Sequence, residues 1–424
     1  MFSPAKEISV IPPLHDAIRS NETEFIEKLF QFNFVQDINV TDKLGFTALH
    51  IAVLEKNVKV TETLLKHGAK VNVHSNEMQL LQEIDSLIHR NERKNYEIDE
   101  DDAFSYVNLT PLHIAALSGS EEIVKSLIEH GADVNRENNE LKQIRPLQCA
   151  VESGSVEIVT FMHENGAKFG NDSRSEFFKY LNDFERMFCF AAAYGKIKIL
   201  KHLLNNGTNS INCLGLNGAM AINGPKALYE AAQNGFEESV KLLIECGTEF
   251  KSFQTVFTPI HIASRNGHLS VIKILIDNGV DFDQRDGFDE SPLKIACYQG
   301  HYEAAKMLIQ NGAEVYKNLD DDFDHSIVYE RQLLHTVFER GLLDIAELLV
   351  CSGADVDYQY DSNTPLHLAL QYDYFDHSDL VGALIEKGAN TEIRNEDGNT
   401  PFEAAMRWGP DNVKTFLYYK HKFS

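Results

Sequence analysis

Six histidines stand at the same place in a recurring phrase: His15 in PPLHDA, His50 in TALHIA, His113 in TPLHIA, His261 in TPIHIA, His335 in LLHTVF and His367 in TPLHLA. Imidazole titrates near neutral pH and ligates metals, so such a row could be a ladder of general bases or of metal ligands. A second candidate is the run LDDDFDH, in which Asp320, Asp322 and Asp324 resemble the start of a calcium loop. His325, however, stands where the sharp turn needs glycine, and Arg331 where a bidentate glutamate is needed, so the run reads as a solvated acidic loop. The acidic stretch IDEDDAF reads the same way. Gly215, Gly218 and Gly224 do not make a dinucleotide fingerprint and read as a flexible loop. No HExxH, GxxxxGK[ST] or GxSxG is present in the sequence. The six cysteines (Cys149, Cys189, Cys213, Cys246, Cys297, Cys351) form no CxxC or Cys/His cluster, which favours buried reduced thiols over disulfides or zinc.

The elements that carry the histidines are legible in TPLHIAALSGSEEIVKSLIEHGADVN, residues 110 to 135. Thr110 is a good N-cap and Pro111 suits the first helical position, where no N–H is needed. Ile114, Ala115 and Ala116 make a short apolar helix that Gly119 ends. Ile123, Val124, Leu127 and Ile128 recur at the spacing of a second helix, apolar on one side, that Gly131 ends. Two helices of this length cannot bury their faces against each other alone, so the unit needs neighbours.

Self-similarity supplies them. With Leu112 as reference, equivalent positions are Leu14, Leu49, Leu147, Phe188, Leu228, Ile260, Leu293, Leu334, Leu366 and Phe402, about eleven units in all. Counting 19 residues on from the reference reaches Gly68, Gly131, Gly166, Gly207, Gly247, Gly279, Gly312 and Gly353, and from Leu14 it reaches Asn33, which also tolerates a left-handed cap. A fixed internal length with variable spacing between units confines insertions to connections. The insertions fall at about 76–108 (an added amphipathic helix and an acidic run), 171–185, 209–224 and 317–330, and a polar C-terminal cap covers about 398–424 with Lys414, Lys420 and Lys422 on its second helix.

TPLHIAALSG with GADVN at 110 to 135, TPIHIASRNGH at 258 to 268, GADVD at 353 to 357 and TPLHLA at 364 to 369 resemble the ankyrin repeat family. The resemblance spans nearly the whole chain. It implies an all-α array over 1–424, an ankyrin-repeat solenoid of stacked antiparallel helix pairs with hairpin-like loops along one edge. It also implies that the repeated histidine bonds to backbone near those loops. Asn72 and Asn135 are similar in setting to ankyrin asparagines that are hydroxylated in animals; beside that stands a turn-stabilising role.

Ankyrin arrays hold other proteins with loop tips and the exposed side of the first helices. The two residues before each first-helix glycine face that side, with no packing duty expected of them. Read along the later units they include Tyr194, Arg265, Tyr298, Arg340, Tyr372, Arg407 and Trp408, the residue types that dominate interface energetics. The competing reading is that these side chains cover neighbouring helices. A formal charge of −25 argues against a nucleic-acid binder, since phosphate recognition needs a basic face, and suits a partner that is neutral or basic where it touches. The expected function is a non-catalytic adaptor or scaffold that needs no cofactor, metal or nucleic acid. A secreted effector of a host-associated microbe is the alternative, and an enzyme with its site in an insertion is a third. No stretch approaches about 18 consecutive apolar residues, and the first residues lack a basic-then-apolar signal, so the expected location is intracellular, in the cytoplasm.

Overall fold

A computed structural model describes residues 13–42, 45–75, 108–138, 143–170, 183–206, 216–248, 250, 258–315, 333–371 and 378–423. The described residues form 22 helices, which in chain order make eleven pairs, each with a shorter inner and a longer outer member in most units. In the third pair these are Pro111–Leu117 and Glu121–Glu129.

Neither helix is long enough to persist by itself in water, so tertiary packing must hold it. Their burial shows how. Every residue of Pro111–Leu117 is buried, because the helix is covered by its own partner and by neighbours on both sides. Glu121–Glu129 buries one face, Ile123, Val124 and Leu127, and leaves its carboxylates in water.

The chain divides into two compact units, Met1–Ala219 and Met220–Ser424. In the first, Pro13–Arg19 packs on Ala48–Leu54, that helix on Pro111–Leu117, and that in turn on Pro146–Ser153; the second helices stack on second helices in the same order. In the second unit, Pro259–Arg265, Pro292–Gln299, Leu333–Glu339, Pro365–Gln371 and Pro401–Trp408 follow one another in the same way. Each contact is between nearest neighbours, as the repeat implies. The connecting loops are hairpin-like: Asn138 N–H donates to the Ile144 carbonyl at 3.0 Å, Asp286 to Glu290 at 3.0 Å and Asn395 to Asn399 at 2.9 Å.

Three expectations need correction. The insertion read at 171–185 is shorter, because Asp183–Ala193 is already the first helix of the fifth pair. Residues 216–224 are not loop but the start of the helix Leu216–Gln233, which carries Pro225 inside it; Leu216, Ala219, Met220 and Ala221 are strong helix formers and outweigh the glycines. Of the cysteines, Cys149, Cys189 and Cys297 are buried, with burial pushing the Cys297 thiol up to about 12, but Cys246 and Cys351 are exposed. Both end second helices, where the chain turns toward solvent. The insertions at 76–107 and 317–330, and Gly207, lie outside the described residues.

Candidate protein-binding surface

The repeated histidines are committed to the scaffold. In His113, Nδ1 accepts from the Thr110 backbone N–H at 3.2 Å and lies 2.7 Å from the Thr110 hydroxyl, which places the ring proton on Nε2. Nε2–H then donates to the Ile144 carbonyl at 3.0 Å, in the hairpin that leads into the next pair. His50 repeats the arrangement with Thr47 and the Leu109 carbonyl, and His367 with Thr364 and the Asn399 carbonyl. His261 lies 2.6 Å from the Thr258 hydroxyl and reaches the Glu290 carbonyl at 3.1 Å. His15 and His335 reach the carbonyls of Phe46 and Asn363. All six carbonyls belong to the residue just before the next pair's N-cap, so each imidazole pins one repeat to its successor. Burial lowers the pKa of every one, at His50 and His113 to about 4. His50, His113, His261 and His367 are engaged at both ring nitrogens, whereas Nδ1 of His15 and of His335 is buried without a partner; all six rings are buried and their lowered pKa makes them poor bases. Among the described residues no group of three or more His, Cys, Asp and Glu is placed to hold a metal; the run at 320–324 lies outside them.

Two further ladders were not singled out from the sequence. One joins successive first-helix ends in the second unit. His268 donates to the Gln233 carbonyl at 2.9 Å, His301 to the Arg265 carbonyl at 2.9 Å, and the Arg340 guanidinium to the Tyr298 carbonyl. Its sequence signal is a histidine directly after the first-helix glycine, as in NGH and QGH.

The other ladder joins hairpins. Asn72 Oδ1 accepts from Asp133 N–H at 2.8 Å while its amide donates to Gly131; Asn135 treats Lys168 N–H and the Gly166 carbonyl in the same way, at 2.7 and 3.0 Å. Asp283 and Asp357 accept from Glu314 and Asn390. The expected turn-stabilising asparagine therefore acts between repeats, not within its own turn. Its signal is Asn or Asp four residues after the second-helix glycine. Asn135→Ala should lower stability by about 1 kcal/mol, since both bonds are partly exposed to water. Asn135→Asp should keep the Lys168 bond and lose the Gly166 one, and equilibrium urea unfolding of the two variants checks the order.

The aromatic and arginine stripe is divided. Arg265, Tyr298 and Arg340 stand at the ends of three successive first helices of the second unit; the Arg265 carbonyl accepts from His301 and the Tyr298 carbonyl from the Arg340 guanidinium. Arg265 and Arg340 are exposed and Tyr298 is half-buried. Arg407 is exposed and pairs with Asp397 at 3.1 Å, a surface pair of small energetic weight. Tyr194 belongs to the other compact unit, where its ring stacks on Phe190 with centroids 4.3 Å apart. Tyr298 has the Lys294 ammonium 5.5 Å from its ring centroid. The two tyrosines thus do carry packing contacts, because a ring at a helix end folds back over the residue four before it. Tyr372 lies outside the described residues, as does the side chain of Trp408.

A family model for ankyrin repeats (3 copies) matches residues 7–75, 79–173, 188–286, 254–319 and 333–424, and the chain belongs to the ankyrin repeat family. As such it is built as a module for protein–protein interaction. Among curated proteins it is similar to the human transient receptor potential cation channel subfamily A member 1, 25% identical over 400 residues, covering 91% of this chain and 28% of that one. It is also similar to the chicken nuclear factor NF-kappa-B p105 subunit, 31% identical over 135 residues, 29% of this chain and 13% of that one. The chain thus spans less than a third of the length of these relatives. A solved structure of the human ASB11 ankyrin repeat domain resembles it with a TM-score of 0.43 at 23% identity, covering 63% of this chain and 99% of the other. No described helix is long and apolar enough to cross a membrane.

Proposed function

We propose that the chain is a non-catalytic adaptor or scaffold, working in the cytoplasm, that holds another protein against the first-helix ends of its second unit. The observation that carries the reading is the set Arg265, Tyr298 and Arg340. The Arg265 carbonyl accepts from the His301 ring on the next pair and the Tyr298 carbonyl from the Arg340 guanidinium on the pair after that, so the helix ends that carry these side chains are braced from pair to pair. Presentation of that kind lowers the ordering cost of binding, and arginine and tyrosine supply planar, amphipathic contact area.

The hairpins of the same unit are acidic. Residues 281–290 carry Asp281, Asp283, Asp286, Asp289 and Glu290 against Arg285 alone, and the next described hairpin carries Asp355, Asp357 and Asp361. This supports a partner with a basic segment along that edge. Arg407 belongs to the proposed contact set, as do Tyr372 and Trp408 on the strength of the sequence.

The test is proximity labelling in the native cell with the wild-type chain and with Arg265→Ala/Tyr298→Ala. Partners retained by the first and lost tenfold or more by the second identify both ligand and surface. Arg340 is left intact because it also bonds the Tyr298 carbonyl, and thermal unfolding confirms that the double variant is folded. An unchanged partner set would remove the stripe from consideration.

A further inference from the structure

Three first helices of the second unit, Pro259–Arg265, Pro292–Gln299 and Leu333–Glu339, pack side by side. Five residues after the references Ile260, Leu293 and Leu334 they carry Arg265, Tyr298 and Glu339, one per pair and in one register. Arg265 and Glu339 are exposed, and Tyr298 is half-buried with Gln299 exposed beside it. The residues that follow the other two are turned back onto the scaffold: the Asn266 amide donates to the Gln233 carbonyl at 2.7 Å, and the Arg340 guanidinium to the Tyr298 carbonyl. The surface therefore presents a row with one place per repeat.

Packed helices stand roughly 8–10 Å apart, and that sets the distance from one place in the row to the next. A ligand that fills successive places must repeat at that distance. A β-strand repeats a face about every 6.7 Å and falls out of step after one place. An α-helix matches only across seven residues, about 10.5 Å, and brings a body about 10 Å thick onto the row. A polyproline II segment repeats its face every three residues, at about 9.3 Å, and stays in step. The middle place suits it as well. The Tyr298 ring has the Lys294 ammonium 5.5 Å from its centroid, and that ammonium pairs with Glu290 at 3.3 Å, so the ring is braced by its own helix as an aromatic platform of the kind on which proline docks. Charge distinguishes the outer places. Glu339 and Arg340 are adjacent on one helix end and offset each other, and Glu230 stands one turn back from the row on the preceding pair. Arg265 is the cation within the row itself.

We propose that this row holds an extended, proline-bearing segment of the partner in the polyproline II conformation, with a proline over Tyr298 and an acidic residue three positions away at Arg265. The inference rests on the reading of this surface as the partner's site and adds the conformation and chemistry of what it holds. A segment of this kind is ordered before it binds, so docking loses little conformational entropy. Its acidic residue meets the first-helix ends, whereas the basic segment of the partner lies along the hairpins.

Fluorescence anisotropy with the full chain and labelled oligoproline nonapeptides tests this. The peptide with aspartate at its centre should bind at least about tenfold more tightly than the one with lysine there, followed up to on the order of 1 mM peptide. A chain of charge −25 favours the lysine peptide through its overall field, so the opposite order is diagnostic. Arg265→Glu should invert the preference. Tyr298→Leu, which keeps apolar bulk and removes the ring, should weaken the aspartate peptide; if it loses its fold on thermal unfolding, the exposed Arg265→Glu carries the test alone. Alanine in place of the prolines three residues to either side of the aspartate should abolish binding, and alanine two residues to either side should not. A wild type that prefers lysine, a preference that Arg265→Glu leaves unchanged, or equal losses at the two spacings would overturn the proposal. So would tighter binding of a helical alanine-rich peptide with aspartate and leucine seven residues apart. Partners lost from Arg265→Ala/Tyr298→Ala in cells while the oligoprolines fail to bind would overturn the extended ligand and leave the surface standing, whereas an unchanged partner set removes both.

Discussion

Acidification from pH 7.5 to pH 5 should destabilise the array by about 4 kcal/mol through His50 and His113 alone. The sign follows from their environment. Both rings are buried, and burial lowers each pKa from 6.5 to about 4. The unfolded chain therefore binds protons that the native state refuses. The contribution is fully present above the unfolded value near 6.5 and is lost progressively as pH falls toward 4, roughly 2 kcal/mol at each site by pH 5. Geometry gives the same answer. A proton added at Nδ1 of His113 would point at the Thr110 N–H that this nitrogen now accepts from, setting two donors against each other 3.2 Å apart. Gln148 holds the equivalent place in the next pair and accepts from Arg145 N–H at 2.7 Å without titrating in this range. The variant His50→Gln/His113→Gln should therefore flatten the pH dependence. Equilibrium urea unfolding at the two pH values measures the effect, and hydrogen exchange should place the acid-labile opening at residues 47–54 and 110–117. Equal pH slopes in wild type and variant would assign the acid sensitivity to other groups.

Replacing Gly267 by alanine should cost about 2–4 kcal/mol, and His301→Ala in the same chain should cancel part of that loss. Gly267 has φ +70°, so any side chain pays the left-handed penalty of roughly 1–2 kcal/mol. An added Cβ would also lie 2.7 Å from Nδ1 of His301 and 2.9 Å from its Cγ. The ring would have to leave the Arg265 carbonyl, forfeiting about 1 kcal/mol of hydrogen bonding. Gly131 is the control: its φ is +86° and an added Cβ meets nothing within 4 Å, so Gly131→Ala should show the backbone penalty alone. The double variant Gly267→Ala/His301→Ala should be less destabilised than the sum of the single ones, because the clash needs both partners. Strict additivity, read from thermal or urea unfolding, would show that the ring already has room to move. The same substitution displaces the carbonyl anchor beneath Arg265, which links this packing defect to the surface proposed to hold a partner.

Much of this molecule is local and was therefore legible in the chain itself. Thr110–Pro111 starting a helix, Gly131 and Asn33 turning the chain left-handed, and one-sided apolar spacing in Glu121–Glu129 each depend on residues within a turn or two of one another. Their recurrence settled the number of helix pairs and the family. Local propensities conflict at 216–224: Gly218 and Gly224 point to loop, and the helix formers between them prevail. What tertiary structure decided is which repeat answers which. The Ile144 carbonyl accepts from a histidine 31 residues earlier, and Asn135 bonds a hairpin 31 and 33 residues later. Those partners become neighbours only once the pairs have stacked. The same holds for exposure. Phe25 and Ile123 occupy one register position and read alike in sequence, but Ile123 is buried and Phe25 is 44% exposed. Burial is a property of neighbours, and it is the neighbours that only the folded chain supplies.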